Sequence, residues 1–350
     1  VRPDKRGTSV KIKKRAVAAA LTFSLMASPA IAPEAKAADP SVSVSVDAAE
    51  LVSALSKLLP MNNPQVKQAL GVLTLIIAGI LVAVPMAEAG SSIRNGAVGD
   101  KAPGKHTRRI VVDGTSRSYD VVLPSNYSEG VAYPVILGFG GWQHTASQTR
   151  DYQKFETAID NTIVIYAQGV DNAWAGAPYA RTSLNEDIAY TRAIIDDAAT
   201  QYGADPNRVV AAGLSNGGGF AAALACHAPD TVKAVASVAG AFYNPTVTGC
   251  TSGSVPTLIM HGTNDNVVGY NGGIRHGAFY ESVDSVMRTM ASKNKCLGTT
   301  TRSRSDNVTT FEAQGCDAAT RVERIEGGIH TWFTDPSATA HTVRFLLPYL

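Results

Sequence analysis

The stretch VVAAGLSNGGGFAAALA at residues 209–225 decides the fold. Its apolar start predicts a short strand over Arg208–Ala212, and its small residues predict a helix over Asn216–His227, so Ser215 lies in the connecting turn. Side chains in such a turn would collide with the neighbouring strand and helix, which is why glycines flank the serine. The pattern GLSNG at 213–217 makes Ser215 a candidate nucleophile, and the alternative is a structural turn.

Strand and helix patterns alternate on both sides of this turn. Asp113-Gly114 predicts a hairpin turn. Further strands are predicted at Pro134–Phe139, Thr162–Tyr166, Val232–Val238, Pro256–His261 and Val322–Ile325, and further helices at about Gln148–Ile159, Leu184–Tyr202, Ala278–Ser292 and Ala338–Leu347. This alternation predicts an α/β domain with a mainly parallel central sheet and helices on both faces.

A serine needs a base to become a nucleophile, and the base needs a group that fixes its tautomer. Asp265 ends the motif HGTND at 261–265, directly after a predicted strand, and His330 lies in GGIHTW at 327–332, after the last predicted strand. Both side chains are expected at the sheet edge that presents Ser215. The sequence therefore predicts a Ser215, Asp265, His330 triad.

Other residues could fill these roles. Asp265 could instead cap a turn, in which case Asp284 or Asp306 would be the nearest competing carboxylates. His276 and His341 also follow Asp265, but His276 falls in a glycine-rich loop and His341 in a predicted helix. His261 is expected to support the turn.

A serine that attacks a carbonyl carbon also needs two backbone N–H donors for the oxyanion of the tetrahedral intermediate. Asn216, directly after the nucleophile, is expected to supply one of them. The glycine-rich loop after the strand at 134–139 is expected to supply the other, from Gly140 or Gly141, unless that loop is only a connection.

Three residues are candidate substrate contacts: Trp142, Gln143 and Trp332. Aromatic faces suit sugar rings and phenolic acyl groups. Trp174 is an equally good candidate for the pocket and for the core.

The amino-acid composition argues against some classes of function. Hydrophobic residues make up 45% of the 350, enough for a sizeable core, and 31 Lys and Arg face 29 Asp and Glu, which indicates no nucleic-acid surface. No CxxC pair or histidine cluster suggests a metal site. Cys226, Cys250, Cys296 and Cys316 form two close pairs along the chain, which favours local disulfides and an oxidising compartment over buried thiols.

The first hundred residues contain two export-like segments. Basic residues precede an apolar run that ends in Ala35-Lys36-Ala37, so residues 1–37 are typical of a secretory signal. Residues 38–67 form a spacer without an assigned role, 68–89 a second signal or a membrane anchor, 90–106 a linker, and 107–350 the catalytic domain. The expected location is outside the cell or in the cell envelope, with membrane association only if 68–89 is retained.

Four stretches together carry a family resemblance: YGADPNRV at 202–209, GLSNGG at 213–218, HGTNDNVV at 261–268 and GGIHTW at 327–332. They resemble the secreted esterases that include polyhydroxybutyrate depolymerase-like proteins, feruloyl esterases, acetyl xylan esterases and LpqC-like lipoproteins. The resemblance covers about 107–350. It departs at Phe139-Gly140, where family members commonly have His-Gly, so substrate preference cannot be copied from them.

The resemblance implies an α/β-hydrolase fold, the Ser215, Asp265, His330 triad, no cofactor, and the pairs Cys226–Cys250 and Cys296–Cys316. It also implies an ester substrate, including esters of polysaccharides or polyesters. The expected activity is a secreted serine carboxylic-ester hydrolase for short acyl or aryl-acyl esters. The alternatives are a serine peptidase on the same fold and a noncatalytic cell-surface binding protein.

Overall fold

The computed structural model describes residues 101–350. Its strands are β1 Gly104–Val112, β2 Thr115–Leu123, β3 Tyr133–Phe139, β4 Ile163–Ala167, β5 Ala204–Leu214, β6 Ala234–Val238, β7 Thr257–Gly262, β8 Gly273–Arg275, β9 Ala278–Tyr280, β10 Thr300–Ser305, β11 Val308–Ala313 and β12 Thr320–Ile325. Its α-helices are α1 Ala146–Gln153, α2 Leu184–Tyr202, α3 Asn216–His227, α4 Val283–Lys293 and α5 Ala338–Leu346.

The segments predicted at 1–37, 38–67 and 68–89 lie outside the described residues, as does most of the linker at 90–106. The end of that linker is part of β1, which begins at Gly104. Among residues 101–350, no helix is both long and apolar enough to cross a membrane.

Ten strands form the main sheet in the order β1-β2-β4-β3-β5-β6-β7-β12-β11-β10. The six from β4 to β12 in this order are parallel to one another. Antiparallel strands complete both edges. The prediction of a mainly parallel central sheet is confirmed.

Side chains of the central strands alternate between two buried layers. In β5, Val209 and Ala211 pack on the face that α2 and α3 cover. Val210 and Ala212 point to the opposite face, where α1 and α5 contribute to the core. A strand buried on both faces reads as a continuous apolar run, which is how β5 is recognised in the sequence.

Helix ends follow local capping signals. The prediction of Leu184–Tyr202 matches α2, which starts at a Ser183 capping box and stops at Gly203 with φ of 70°. The predicted helix at Ala278–Ser292 is wrong at its start. Residues 278–280 form β9, and the helix begins only after the Ser282 cap, whose hydroxyl accepts the Ser285 N–H.

The sequence gives no warning of the edge hairpin β10–β11. All six residues of β10 are exposed, so no apolar alternation marks the strand. Its polar composition suits a solvent-facing edge, where unpaired backbone groups must not attract another sheet.

Two disulfides are present, Cys226–Cys250 and Cys296–Cys316, which is the pairing that the family resemblance implies. The first ties the end of α3 to the loop before β7. The second joins the segments that follow α4 and precede β12. Both close short loops, with separations of 24 and 20 residues along the chain.

Removing either disulfide should lower the free energy of unfolding by about 3 kcal/mol, because a cross-link of this loop length restricts the unfolded chain. Urea unfolding of C226A/C250A and C296A/C316A measures the loss. Wild-type protein unfolded with a reductant is the control and should lose more than either variant. Unchanged unfolding midpoints in both double variants would show that the bonds contribute nothing.

Candidate active site

Four loops meet at the carboxyl edge of the parallel sheet. They follow β3, β5, β7 and β12, which lie close together in the sheet order with only β6 between β5 and β7. Ser215 follows β5, Asp265 follows β7, and His330 follows β12. The structure therefore brings together the three residues that the sequence predicts as a triad.

The turn at Ser215 is sharp. Ser215 has φ of 54° and ψ of −117°, a backbone conformation that side-chain-bearing residues rarely adopt. A side chain at Gly213 would collide with the backbone of Gly217 and with the Gly218 nitrogen. A side chain at Gly217 would meet the carbonyls that end β3, so both glycines are needed.

Backbone hydrogen bonds to β6, to α3 and to the segment after β6 hold this turn in place. The Ser215 N–H donates to the Val238 carbonyl at 2.9 Å, and the Ser215 carbonyl accepts from Gly219 and Ala241, each at 2.9 Å. The backbone is thus fixed on both sides of the serine, and the hydroxyl is left to point out of the sheet.

His330 connects the serine to the carboxylate. Its Nε2 lies 2.9 Å from the Ser215 Oγ, and its Nδ1 lies 2.7 Å from the Asp265 Oδ2. A carboxylate accepts only, so Nδ1 carries the proton and Nε2 offers its lone pair to the serine hydroxyl. This is the tautomer that a general base requires.

Asp265 is surrounded by donors. Its Oδ1 accepts the N–H groups of Val267 and Val268 at 2.9 and 2.8 Å, and its fully buried side chain also lies 3.2 Å from the His261 Nε2. Burial raises the pKa of Asp265, but the hydrogen bonds from His261 and His330 outweigh it and hold the pKa below its usual range. Asp265 is therefore ionised at neutral pH.

His261 supports this arrangement, as the sequence predicts. Its Nε2 lies 2.8 Å from the Val268 carbonyl, so the ring closes the turn that carries Asp265. The Nδ1 of His261 is buried without a hydrogen-bond partner.

The loops that carry the acid and the base are bonded to each other. The Asn264 N–H donates to the Gly328 carbonyl at 2.9 Å, and the Gly327 N–H donates to the Thr263 hydroxyl at 2.8 Å. These bonds fix the spacing of the two loops, although Asp265 and His330 are 65 positions apart in sequence.

The remaining candidate acids and bases lie elsewhere. The Asp284 carboxylate accepts from the Tyr270 hydroxyl, and Asp306 lies in the exposed turn between β10 and β11. His341 pairs with Glu323 at 2.5 Å. His276 lines the pocket, but it has no hydrogen bond to Ser215.

Asn216 and Gly141 are placed to offer N–H groups beside the serine. Asn216 is the first residue of α3, so its N–H has no acceptor within the helix. Gly141 lines the pocket, and a Cβ built on it would lie 3.5 Å from the Ser215 Cβ. Gly140 does not line the pocket, and a side chain there would collide with Thr149.

Trp174 forms hydrogen bonds with both segments that carry these N–H groups, Gly140-Gly141 and Asn216. Its indole N–H donates to the Gly140 carbonyl at 3.0 Å, and its backbone exchanges two hydrogen bonds with the Asn216 side chain. The ring is buried against Phe139 and Phe220. Trp174 therefore belongs to the core beneath the site.

Tyr152 lies beside the Gly141 donor. The Gly141 N–H points to the Tyr152 hydroxyl at 3.3 Å, which is long for such a bond and leaves the amide available to a better acceptor. Burial raises the pKa of Tyr152 to about 12, so its hydroxyl stays protonated at neutral pH.

A pocket of about 380 Å³ opens above the serine. Trp142 and Trp332 line it, as predicted, but Gln143 does not. Gln143 has φ of 68° and an exposed side chain, and its N–H donates to the Asn172 carbonyl at 2.8 Å. The left-handed turn at Gln143 carries its side chain out of the pocket lining.

Sequence reasoning missed several lining residues, because they come from segments without a recognisable motif. They are His144, Tyr152, Tyr179, Tyr243, Arg275 and His276. Trp142 stacks on Tyr179 with ring centroids 4.3 Å apart, and His276 contacts both rings edge-on. One wall of the pocket is therefore aromatic.

Among residues 101–350, no group of three or more His, Cys, Asp or Glu side chains is arranged to hold a metal ion.

Comparison with solved structures agrees with the fold. An acetyl xylan esterase from Aspergillus awamori superposes with a TM-score of 0.53 at 14% identity, covering 69% of this chain and 98% of that one. Native esterase 2 from Thermogutta terrifontis gives a TM-score of 0.50 at 17% identity, covering 75% and 96%. The α/β-hydrolase fold predicted from the sequence is confirmed.

Curated relatives include feruloyl esterases. A protein named probable feruloyl esterase C from Aspergillus clavatus is 31% identical over 182 residues, which cover 49% of this chain and 63% of the relative. Feruloyl esterase D from Neurospora crassa is 27% identical over 195 residues, covering 51% and 60%. The match thus spans less than two thirds of each relative.

A family model described as "Putative esterase" matches residues 113–295. The matched region is more than half of the chain, and it contains β5, the Ser215 turn and Asp265. The chain belongs to this esterase family.

Proposed function

We propose that this chain is a serine carboxylic-ester hydrolase that works through an acyl-enzyme on Ser215. The observation that carries the proposal is the continuous hydrogen-bonded series Ser215, His330, Asp265 at the floor of an open pocket. Membership of an esterase family supports it.

In the first half of the reaction, the Ser215 oxygen attacks the ester carbonyl while its proton passes to the His330 Nε2. The carbonyl oxygen becomes negative and is stabilised by the N–H groups of Asn216 and Gly141. The positive end of the α3 dipole adds to this field. His330 then gives its proton to the departing alcohol oxygen, and the acyl group stays on Ser215.

In the second half, water takes the place of the alcohol. His330 accepts a proton from the water, the resulting hydroxide attacks the acyl carbonyl, and the proton returns to the Ser215 oxygen as the acid leaves. Asp265 holds the His330 tautomer and stabilises the imidazolium without accepting its proton.

The preferred substrates in this proposal are short acyl or aryl-acyl esters. A pocket of about 380 Å³ suits a small acyl group, and the stack of Trp142 on Tyr179 offers a flat surface to an aromatic one. The two segments that could carry a lid, 167–183 and 240–256, contain no helix. Long alkyl chains would find little shelter.

Two alternatives predict different outcomes. A peptidase would cleave amides with comparable efficiency, and a binding protein would show no Ser215-dependent turnover. Expelling an amine requires more help from the acid than expelling an alcohol, so esters are the easier substrates for this site.

Export of the catalytic domain and action on polymer-linked esters complete the proposal. Two disulfides favour an oxidising compartment. Relatives named feruloyl esterase and a fold neighbour named acetyl xylan esterase favour acyl groups attached to polysaccharides as one substrate class, with polyesters as the other.

A panel of acetyl, butyryl, feruloyl and palmitoyl esters, with a matched peptide amide, tests the function. The acetyl, butyryl and feruloyl esters should be cleaved with the highest kcat/KM, and Ser215→Ala should lower it by roughly three orders of magnitude or more because the nucleophile is lost. Ser303→Ala, on exposed β10, is the matched control. Preference for the palmitoyl ester or the amide would contradict the proposed substrate class, and full activity of Ser215→Ala would refute the mechanism.

Asp265 should make stability depend on pH. Its folded pKa lies below its unfolded value, so the ionised carboxylate stabilises the fold above pH ~4 and loses that effect as the pH falls toward the folded pKa. Asp265→Asn should cost on the order of 2 kcal/mol near pH 6 and progressively less below pH ~4. Urea unfolding of both proteins across this range is the measurement, with Asp306→Asn as control. A cost that stays constant with pH would show that the carboxylate charge is not stabilised by its neighbours.

A further inference from the structure

We propose that Arg275 binds a carboxylate on the substrate, so that the preferred esters carry a negative charge away from the scissile bond. This inference rests on the proposed esterase function and names its substrate class more closely. The evidence comes from the β8–β9 hairpin, which borders the pocket.

The hairpin has a tight two-residue turn. His276 and Gly277 have φ of 52° and 76°, and positive φ at both central positions is the requirement of a type I′ turn. Arg275 pairs with Ala278 directly before this turn, and Ile274 pairs with Phe279 one step further back.

Alternation along the two strands separates their faces. Ile274 and Phe279 face outward, 77% and 53% exposed. Arg275 therefore shares the opposite face with Tyr280, which is buried and packs edge-on against the pocket residue Tyr243 at 5.8 Å. The register of the hairpin thus turns Arg275 toward the pocket, where it is one of the lining residues.

The base of the hairpin is held firmly. Tyr280 forms a backbone bridge with Tyr243, and its hydroxyl accepts the Gly269 N–H at 3.0 Å. The Glu281 N–H donates to the Phe242 carbonyl at 2.9 Å. Arg275 is therefore presented from an anchored element.

Arg275 is a cation without a compensating partner. Within residues 101–350, no hydrogen bond or ion pair engages its guanidinium. In the same described part of the chain, it is the one arginine or lysine that lines the pocket, and no carboxylate lines it. The Asp265 carboxylate lies behind His330 and is committed to it.

Two tyrosines, Tyr179 and Tyr243, line the same pocket as Arg275. Burial raises the pKa of Tyr179 and of Tyr243, and the positive charge of Arg275 acts in the opposite direction on both. Both phenols remain neutral donors at neutral pH. An anion in this pocket would meet one cation in a lining that also contains two phenols and the stack of Trp142 on Tyr179.

A carboxylate fits these groups best among the anionic groups that an ester of an organic acid or alcohol carries. The planar fork of a guanidinium matches the two carboxylate oxygens. Arg275 is exposed, and we expect a preference in kcat/KM of up to tenfold, which corresponds to about 1.4 kcal/mol.

Two pairs of probe esters test the proposal. In the first, the acyl group varies: the 4-nitrophenyl monoester of glutaric acid against 4-nitrophenyl hexanoate. In the second, the alcohol varies: the butyrate ester of 4-hydroxybenzoate against that of methyl 4-hydroxybenzoate. The pair whose preference depends on Arg275 shows whether the carboxylate lies on the acyl group or on the alcohol.

Four proteins are compared: wild type, Arg275→Gln, Arg275→Lys and Arg288→Gln. Arg288 is an exposed arginine of α4 that does not line the pocket, so it controls for the loss of one positive charge. In one pair, the ratio of kcat/KM for the charged ester to kcat/KM for the neutral ester should be up to about tenfold higher in wild type than in Arg275→Gln. Arg275→Lys should keep part of the preference, and 0.5 M NaCl should reduce it.

The proposal is overturned if Arg275→Gln cleaves charged and neutral esters of both pairs in the wild-type ratio, or if Arg288→Gln loses the preference equally. Failure of the proposed esterase function looks different, since neutral esters would then not be cleaved by any of the four proteins.

Discussion

The backbone of Ser215 has a conformation that residues with side chains rarely adopt, and contacts from the surrounding strands and helix maintain it. Its φ of 54° would relax if the turn were free. The carbonyl is fixed by two N–H donors, the N–H is fixed by β6, and glycines on both sides let strand, helix and the β3 loop approach closely. The stability of the parallel sheet therefore maintains the position of the Ser215 hydroxyl beside His330.

The other two triad residues depend on the same sheet edge. β7 and β12 are adjacent parallel strands, so the loops that follow them lie side by side. Backbone bonds between residues 262–265 and 325–328 then set the distance between acid and base. Trp174 performs a similar task on the opposite side, where its buried indole bonds the Gly140 carbonyl and its backbone bonds the Asn216 side chain. The spacing of Ser215, Asp265 and His330 in this way depends on strand order.

Local sequence patterns were sufficient to predict the central strands, the ends of α2 and the strand ends that meet at the site. Continuous apolar runs identify the central strands, Ser183 and Gly203 bound α2, and the motifs around Ser215, Asp265 and His330 mark the strand ends that meet. The helix predicted from Ala278 failed because Phe279 looks like part of an apolar helix face, whereas the His276-Gly277 turn forces a hairpin. β10 was missed because it buries no side chain.

The residues that line the pocket could not be predicted from the sequence, for a different reason. Tyr179 and Tyr243 come from two loops and Arg275 comes from β8, and only the folded chain places them together. Gln143 follows Trp142 in sequence, yet a left-handed turn sends it elsewhere. Much of the pocket lining thus comes from parts of the chain that carry no motif.

The central claim is that Ser215 is an activated nucleophile, and covalent labelling of the folded protein tests it most directly. A fluorophosphonate should modify one residue, identified as Ser215 by peptide mapping, and His330→Ala should slow the labelling sharply because the serine loses its base. Label found on another residue, or an unmodified Ser215 in folded wild-type protein, would contradict this account.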